Sequence, residues 1–167
     1  MRFVAVGELL VDLVADGAGH DAQIRVRPGG SAFNAAVAAA AAGAEATAIG
    51  TVGDDPAGRM ILAELAAAGV QPVVSVVEGR TGTFLLDDGE VRVDRGDSHR
   101  LGYVGPIGGD AVLVSGYLPS AARVLESAEA PWVALDTESN SMFVYRERMC
   151  LLQLNAGGRL FIVDTLE

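Results

Sequence analysis

The chain has 167 residues, of which 50% are hydrophobic and only 5% aromatic, so one globular core built mainly from aliphatic residues is expected. Its net charge of −10 argues against a nucleic-acid or anionic-membrane surface, and its complete lack of lysine excludes a P-loop or Schiff-base lysine. The single cysteine, Cys150, fits a reducing compartment, so a cytoplasmic location is predicted. Two distant histidines and one cysteine offer no zinc-type ligand spacing, and no apolar run is long enough to span a membrane.

Strand and helix patterns alternate through the first seventy or so residues, which predicts a parallel sheet with helices packed on it. Ser31 is the predicted N-cap of the first helix, which Gly43 ends, and Asp55-Pro56 begins the second. The predicted elements are a strand at Phe3–Val6, an apolar run at Leu9–Val14, a helix at Ala32–Ala42, a strand at Ala44–Ile49 and a helix from Asp55 to Gly69.

The middle of the chain carries short β-type runs. The turn residues Asp87 to Glu90 join two of them, which predicts a hairpin that projects from the main sheet. The α/β pattern then resumes. The predicted elements are strands at Val73–Val77, Thr83–Leu86, Val91–Asp94, Ala111–Val114 and Trp132–Leu135, and a helix near Ser120–Ala128.

The composition changes after the last of these strands. From Leu135 to Asn155 the sequence contains no alanine or glycine. Residues 138–167 are therefore treated as an atypical C-terminal segment, and two interpretations stay open. Either this is a helix of different composition, or the reading frame or gene end has been altered here.

The most informative stretch runs from Arg27 to Asn34, where Gly29 and Gly30 precede an alanine-rich helix. Paired glycines let a ligand approach the backbone, and the helix start presents unpaired N–H groups at the positive end of its dipole. Asn34 in the first turn can donate to and accept from hydroxyl groups. An ordinary turn with an incidental Asn34 is the alternative.

Asp12 lies within an apolar, strand-like run, where a buried carboxylate without partners is costly. It is either an exposed position of a half-open strand or an acceptor for two sugar hydroxyls near a strand end. The block from Gly50 to Arg59 has neither a dinucleotide fingerprint nor a P-loop, and is interpreted as a tight turn followed by an N-cap. The arginines of the hairpin region (Arg80, Arg92, Arg95 and Arg100) are either solvated or close over a ligand.

These motifs together resemble the ribokinase-like (PfkB-type) carbohydrate kinases over about residues 3 to 137. Gly7-Glu8 with Asp12 is similar to that family's first strand and sugar-binding aspartate. The stretch from Gly29 to Ala36 is similar to its N-terminal signature. Thr81-Gly82, the hairpin and the segment Arg95 to Ser98 resemble the β lid over the sugar.

The resemblance implies a ribokinase-like, Rossmann-like α/β fold with a projecting β lid at about residues 71–100. It implies a substrate-binding part at residues 1–137 that uses Asp12, Gly29, Gly30, Asn34 and Arg95. For full-length members it implies ATP and Mg²⁺, and a sugar or nucleoside substrate.

The chain also departs from the family pattern. Asp136 to Asn140 differs from the usual Asp-x-Asn-x-Arg segment, and the Asn-x-x-Glu glutamate is missing near Asn155. The C-terminal half with the Gly-Ala-Gly-Asp motif and the catalytic base is absent, so we expect a C-terminally truncated fold with no catalytic or metal-ligating residue of its own.

Three functions are therefore considered: the sugar-binding half of a kinase, a binding module without chemistry, and a non-functional truncated or frame-shifted product. Because a halved sheet exposes an apolar edge, we expect pairing of two copies through the lid or that edge.

Overall fold

A four-stranded parallel sheet, the central sheet, is the core of the structure, a computed structural model that describes residues 1–16, 20, 23–87, 90–102, 105–115, 128–129, 135–139, 149–156 and 159–164. Its strands are β1 (Arg2–Val6), β4 (Glu45–Gly53), β5 (Gln71–Val77) and β9 (Ala111–Val114). Their order in the sheet is β5-β4-β1-β9, and all neighbours are parallel. The fold class expected from the sequence, a mostly parallel α/β sheet, is confirmed.

Helices α1 (Ser31–Ala41) and α2 (Pro56–Ala67) pack on this sheet through small and aliphatic side chains. Fully buried Ala36 of α1 and Ile61 and Leu65 of α2 join Ala48 and Val52 of β4 in one core cluster. Because α1 is mostly alanine, its backbone can lie close to the strands. That proximity brings the start of α1 to the ends of the central strands.

The two helix starts differ from each other. Asp55 caps α2 as predicted, since its Oδ1 accepts from the Gly58 N–H at 2.7 Å and Pro56 follows it. The predicted N-cap Ser31 of α1 is wrong, because Ser31 is already helical and Gly30 occupies the cap position. Gly30 has a φ of 93°, a backbone conformation that favours glycine and turns the chain into the helix one residue earlier.

A second four-stranded sheet, the outer sheet, has the order β3-β2-β6-β7. It pairs two antiparallel hairpins through the parallel neighbours β2 and β6, and it contains the predicted hairpin, in which Asp87 pairs with Glu90. Its strands are β2 (Leu10–Asp16), β3 (Gln23–Gly29), β6 (Gly82–Asp87) and β7 (Glu90–Asp94).

Two features of these sheets were not predicted from the sequence. Strand β3 was missed because arginines alternate with its apolar residues and Pro28 lies near its end. Residues 71–77, where the expected lid began, form β5 of the central sheet instead.

The rest of the described chain adds short or antiparallel strands: β8 (Ile107–Gly108), β10 (Ala128–Glu129), β11 (Leu135–Ser139), β12 (Met149–Ala156) and β13 (Arg159–Asp164). Strands β11, β12 and β13 form one antiparallel sheet, so the helical interpretation of the C-terminal segment is wrong for these residues.

Other predictions concerning this part of the chain remain partly untested. Ala128, the expected end of a helix, lies in a strand. The remainder of that helix and residues 132–134 lie outside the described residues. No helix within the described ranges is long and apolar enough to cross a membrane.

Candidate functional site

The start of α1 packs against the carboxyl ends of β1 and β9. A Cβ at Gly7, directly after β1, would lie 2.7 Å from the Cβ of Ser115, 3.1 Å from that of Ala32 and 3.3 Å from Ser31 Oγ. Only a residue without a side chain fits between these groups. Open parallel sheets bind their ligands at this edge, so the positions around Gly7 define the candidate site.

Gly30 brings the beginning of α1 onto the backbone of the segment between β1 and β2. A Cβ on Gly30 would overlap the carbonyl oxygen of Glu8. No side-chain hydrogen bond caps the start of α1. Its first N–H groups, which carry the positive end of the helix dipole, therefore have no capping side chain as a partner.

Asp12 and Gly29 form a second close contact of the site. In the pairing of β2 with β3, Asp12 lies opposite Arg27, and its carboxylate occupies the space that a Cβ of residue 29 would need. Asp12 is half-buried; burial raises the pKa of its carboxyl group, and the nearby Arg27 guanidinium partly offsets this rise. The glycine therefore allows the carboxylate to reach the start of α1.

Asn34 lies one turn into α1, where its N–H donates to the Gly30 carbonyl at 3.0 Å. Its side chain is exposed, in contrast to the buried Ala32 and Phe33 on the same turn. Of the five residues predicted for the site, the structure thus places Asp12 against Gly29, with Gly30 following directly and Asn34 a turn later.

The fifth residue, Arg95, is connected to Gly30 through Glu8. Arg95 Nε donates to Glu8 Oε1 at 2.9 Å, and the Glu8 side chain is 5% exposed whereas that of Arg95 is 44% exposed. Burial raises the pKa of Glu8, and the charge and hydrogen bond of Arg95 and the charge of His99 lower it in part. Glu8 therefore touches Gly30 with its backbone and Arg95 with its carboxylate.

Glu8 is a residue whose role sequence reasoning missed. It was noted only as part of a motif, although an acidic residue between the apolar strand β1 and the run Leu9–Val14 is an unusual position for a charge. Its partner lies 87 residues away in the sequence, so no local pattern could identify the pair.

A second polar cluster fastens the outer sheet to α2. Asp55 Oδ2 accepts from the Thr81 N–H at 2.8 Å, and Asp55 Oδ1 accepts from the Thr81 hydroxyl at 2.7 Å. Thr81 Oγ1 in turn accepts from the Gly53 N–H at 3.0 Å. Burial alone raises the pKa of Asp55, but hydrogen bonds from Gly58, Thr81 and Ala57 outweigh it and hold that pKa below its ordinary value. The predicted structural role of the Gly50–Arg59 block thus extends to the outer sheet.

The arginines of the hairpin region are engaged with carboxylates. Arg80 lies 3.0 Å from Asp94, and Arg100 lies 3.2 Å from Asp97. The N–H of Gly96 and the charge of Arg80 lower the pKa of Asp94. Arg92 also has an interaction partner. Arg80 and Arg100 are thus largely exposed side chains, as the solvated alternative predicts, and each also forms a surface ion pair.

Magnesium in phosphoryl transfer is held by one or two carboxylates together with phosphate oxygens and water. Within the described ranges no three His, Cys, Asp or Glu side chains cluster closely enough to hold a metal ion.

Comparison with known proteins agrees with this architecture. The profile of the pfkB family carbohydrate kinases matches residues 2–96, more than half of the chain. The chain belongs to the pfkB family of carbohydrate kinases. No curated protein matches the sequence significantly.

Solved structures of sugar and nucleoside kinases share the fold. An uncharacterized sugar kinase from Pyrococcus horikoshii has 20% identity and a TM-score of 0.59, with 78% of this chain and 51% of that chain covered. A ribokinase from Cryptococcus neoformans in complex with ADP has 25% identity and a TM-score of 0.60, with 75% and 44% covered. An adenosine kinase from Schistosoma mansoni in complex with adenosine and AMP has 11% identity and a TM-score of 0.62, with 74% and 50% covered. The chain thus spans about half the length of these structures.

Proposed function

We propose that this chain supplies the sugar- or nucleoside-binding part of an ATP-dependent carbohydrate kinase, with Asp12, Gly29, Gly30, Asn34 and Arg95 as the binding residues. The observation that carries the proposal is the contact of the Asp12 carboxylate with Gly29 at the start of α1, on the carboxyl side of the central sheet. Membership of the pfkB family supports it.

The chemistry of these groups suits a polyhydroxylated ligand. A carboxylate accepts hydrogen bonds from two adjacent hydroxyl groups, and an exposed amide both donates and accepts. The N–H groups of the uncapped helix α1 donate to further oxygen atoms, and the guanidinium of Arg95 donates from the outer sheet. Held in this way, one hydroxyl group is oriented for attack on a phosphate. This positioning lowers the entropic part of the barrier to phosphoryl transfer.

Binding is tested by calorimetry with a panel of pentoses, hexoses, ketosugar acids and nucleosides. At least one of them is expected to bind, and Asp12→Asn or Asn34→Ala should weaken binding by about tenfold, since each removes hydrogen bonds worth roughly 1–2 kcal/mol. Asp54→Asn is the matched control, because Asp54 is an exposed carboxylate paired with Arg59 of the second helix. No heat with any ligand contradicts the proposal.

For phosphorylation, ATP and Mg²⁺ are part of the proposal for the whole kinase. For the 167-residue chain we infer binding without turnover, since the groups at this site orient hydroxyl groups and none of them is placed to carry a phosphate. Phosphorylated sugar formed by the purified chain above the level of an Asn34→Ala control would contradict this inference.

A second copy of the chain is proposed as its partner. The outer sheet exposes Ile24 (59%), Val26 (45%), Leu86 (37%) and Val93 (42%), more apolar surface than a two-sided sheet in water usually retains. Ile24 and Val26 lie on one face of this sheet and Leu86 and Val93 on the other, so pairing through one face covers two of these side chains. Sedimentation at increasing protein concentration is expected to show a dimer, and a monomer throughout contradicts it.

A further inference from the structure

We infer that the site selects a neutral sugar over a sugar acid or a sugar phosphate, and that Glu8 sets this preference by neutralising Arg95. The inference rests on the proposed sugar-binding function and adds the class of ligand and one positioning residue. It follows from how the charges around the start of α1 are paired.

Arg95, the cation proposed to contact the ligand, is already paired with an anion. Glu8 contacts Gly30 through its carbonyl oxygen and holds Arg95 Nε at 2.9 Å through its carboxylate. Because this carboxylate is 5% exposed, water screens it little, and its charge acts strongly on the guanidinium. A ligand beside Arg95 therefore meets a neutral pair that still donates hydrogen bonds.

The carboxylate of Asp12 adds a negative charge beside Gly29. Its opposite residue, Arg27, is an exposed side chain, so solvent and salt weaken the compensation that it provides. The positive end of α1 corresponds to only about half an elementary charge. A full negative charge on Asp12 exceeds that half charge, so the space between Asp12 and α1 disfavours a second anion.

Two further arginines near the outer sheet already have carboxylate partners. Arg80 is paired with Asp94 and Arg100 with Asp97, at 3.0 and 3.2 Å. To bind a carboxylate or phosphate through Arg95, the protein has to give up the bond to Glu8 and leave that buried carboxylate without its partner, which is costly. A neutral hydroxyl group accepts a hydrogen bond from the pair without breaking it.

The test compares each neutral sugar with its own acid: glucose with gluconate, ribose with ribonate, and fructose with fructose 6-phosphate. Calorimetry near neutral pH at physiological salt is expected to show at least about tenfold tighter binding of the neutral member, a difference of about 1.4 kcal/mol. Equal or tighter binding of the charged member overturns the inference while the proposed sugar-binding function stands. If no compound binds, both fail.

Variants assign the preference to Glu8. Glu8→Gln keeps the size of the side chain and removes its charge, so the neutral-to-acid affinity ratio should fall by about tenfold as Arg95 loses the negative charge that Glu8 places beside it. Arg95→Gln should raise the ratio, because it removes the positive charge and keeps the negative charge of Glu8. This variant gives a readout in the opposite direction if Glu8→Gln fails to fold. Asp54→Asn, which also removes one carboxylate, should leave the ratio unchanged. A ratio that is the same in wild type and in a folded Glu8→Gln or Arg95→Gln variant contradicts the role of Glu8.

Discussion

The central sheet and the outer sheet are held together by different forces. In the central sheet Ala5, Ala48 and Val52 are 0% exposed, and the helices cover them with aliphatic side chains. In the outer sheet apolar side chains such as Ile24 and Val93 remain 59% and 42% exposed. It is connected to the rest of the chain by Val11 of β2, which is buried in the same core cluster, and by two polar contacts, Glu8 with Arg95 and Asp55 with Thr81. The central sheet is stabilised by burial along its strands, whereas the outer sheet is buried at the start of β2 and attached by polar contacts beside the candidate site.

The largest expected effect lies in the central region. Ile61→Ala removes a fully buried side chain from the core under α2 and should lower the free energy of unfolding by about 2–5 kcal/mol. Ile24→Thr, in the outer sheet, should change it by less than about 0.5 kcal/mol, because that side chain is already exposed. Urea denaturation of both variants measures the contrast, and equal losses would remove the distinction between the sheets.

The next effect concerns the attachment of the outer sheet. Asp55→Ala removes the α2 cap and both bonds to Thr81, and should cost about 2–3 kcal/mol in unfolding free energy. Hydrogen exchange is expected to accelerate at Thr81 and along β6 more than in β1. Asp54→Ala, the neighbouring exposed carboxylate, should cost less than about 1 kcal/mol. Uniform acceleration in both sheets would show that the cluster stabilises the fold as a whole.

The two attachment points should respond to pH with opposite signs. The pKa of Asp55 is lowered from 3.8, so its contribution to stability is present above that value and is lost as the pH falls through the folded-state pKa. The pKa of Glu8 is raised from 4.5, so its contribution is full below that value and is lost as the pH rises through the folded-state pKa.

Denaturation of wild type, Asp55→Asn and Glu8→Gln across the acidic range measures these contributions. The stability advantage of wild type over Asp55→Asn should shrink on acidification. The unfolding free energy of wild type relative to that of Glu8→Gln should instead increase. Parallel changes in both differences contradict the assignment.

The smallest expected effect on stability is at the exposed face of the outer sheet. Val93→Thr keeps a β-branched side chain and should alter the unfolding free energy by less than about 0.5 kcal/mol. If two copies pair through the face of the outer sheet that carries Val93, the same change should weaken their association measurably in sedimentation. Thr47→Val, on a central strand away from this sheet, is a control that should leave association unchanged.

Local patterns in the sequence predicted much of the fold. Alternating apolar runs predicted β1, β4 and β9, and the Asp55-Pro56 pair marked the start of α2 correctly because a cap and a ring-fixed φ act within a few residues. Strand β3 was not predicted because its arginines alternate with apolar residues that stay exposed. The start of α1 was misplaced by one residue because a glycine backbone, rather than a serine side chain, makes the turn.

The sequence by itself determined the family resemblance, the helix and strand periodicity and the glycine pair beside a possible ligand. Each of these depends on residues close together in the chain. Only the tertiary structure showed that Glu8 holds Arg95, that Asp55 fastens Thr81 and that Asp12 lies over Gly29. Those contacts join residues 17 to 87 positions apart, and they form because the outer sheet meets the rest of the chain at the starts of α1 and α2. Charge pairing at the site is therefore a property of the fold, not of any single motif.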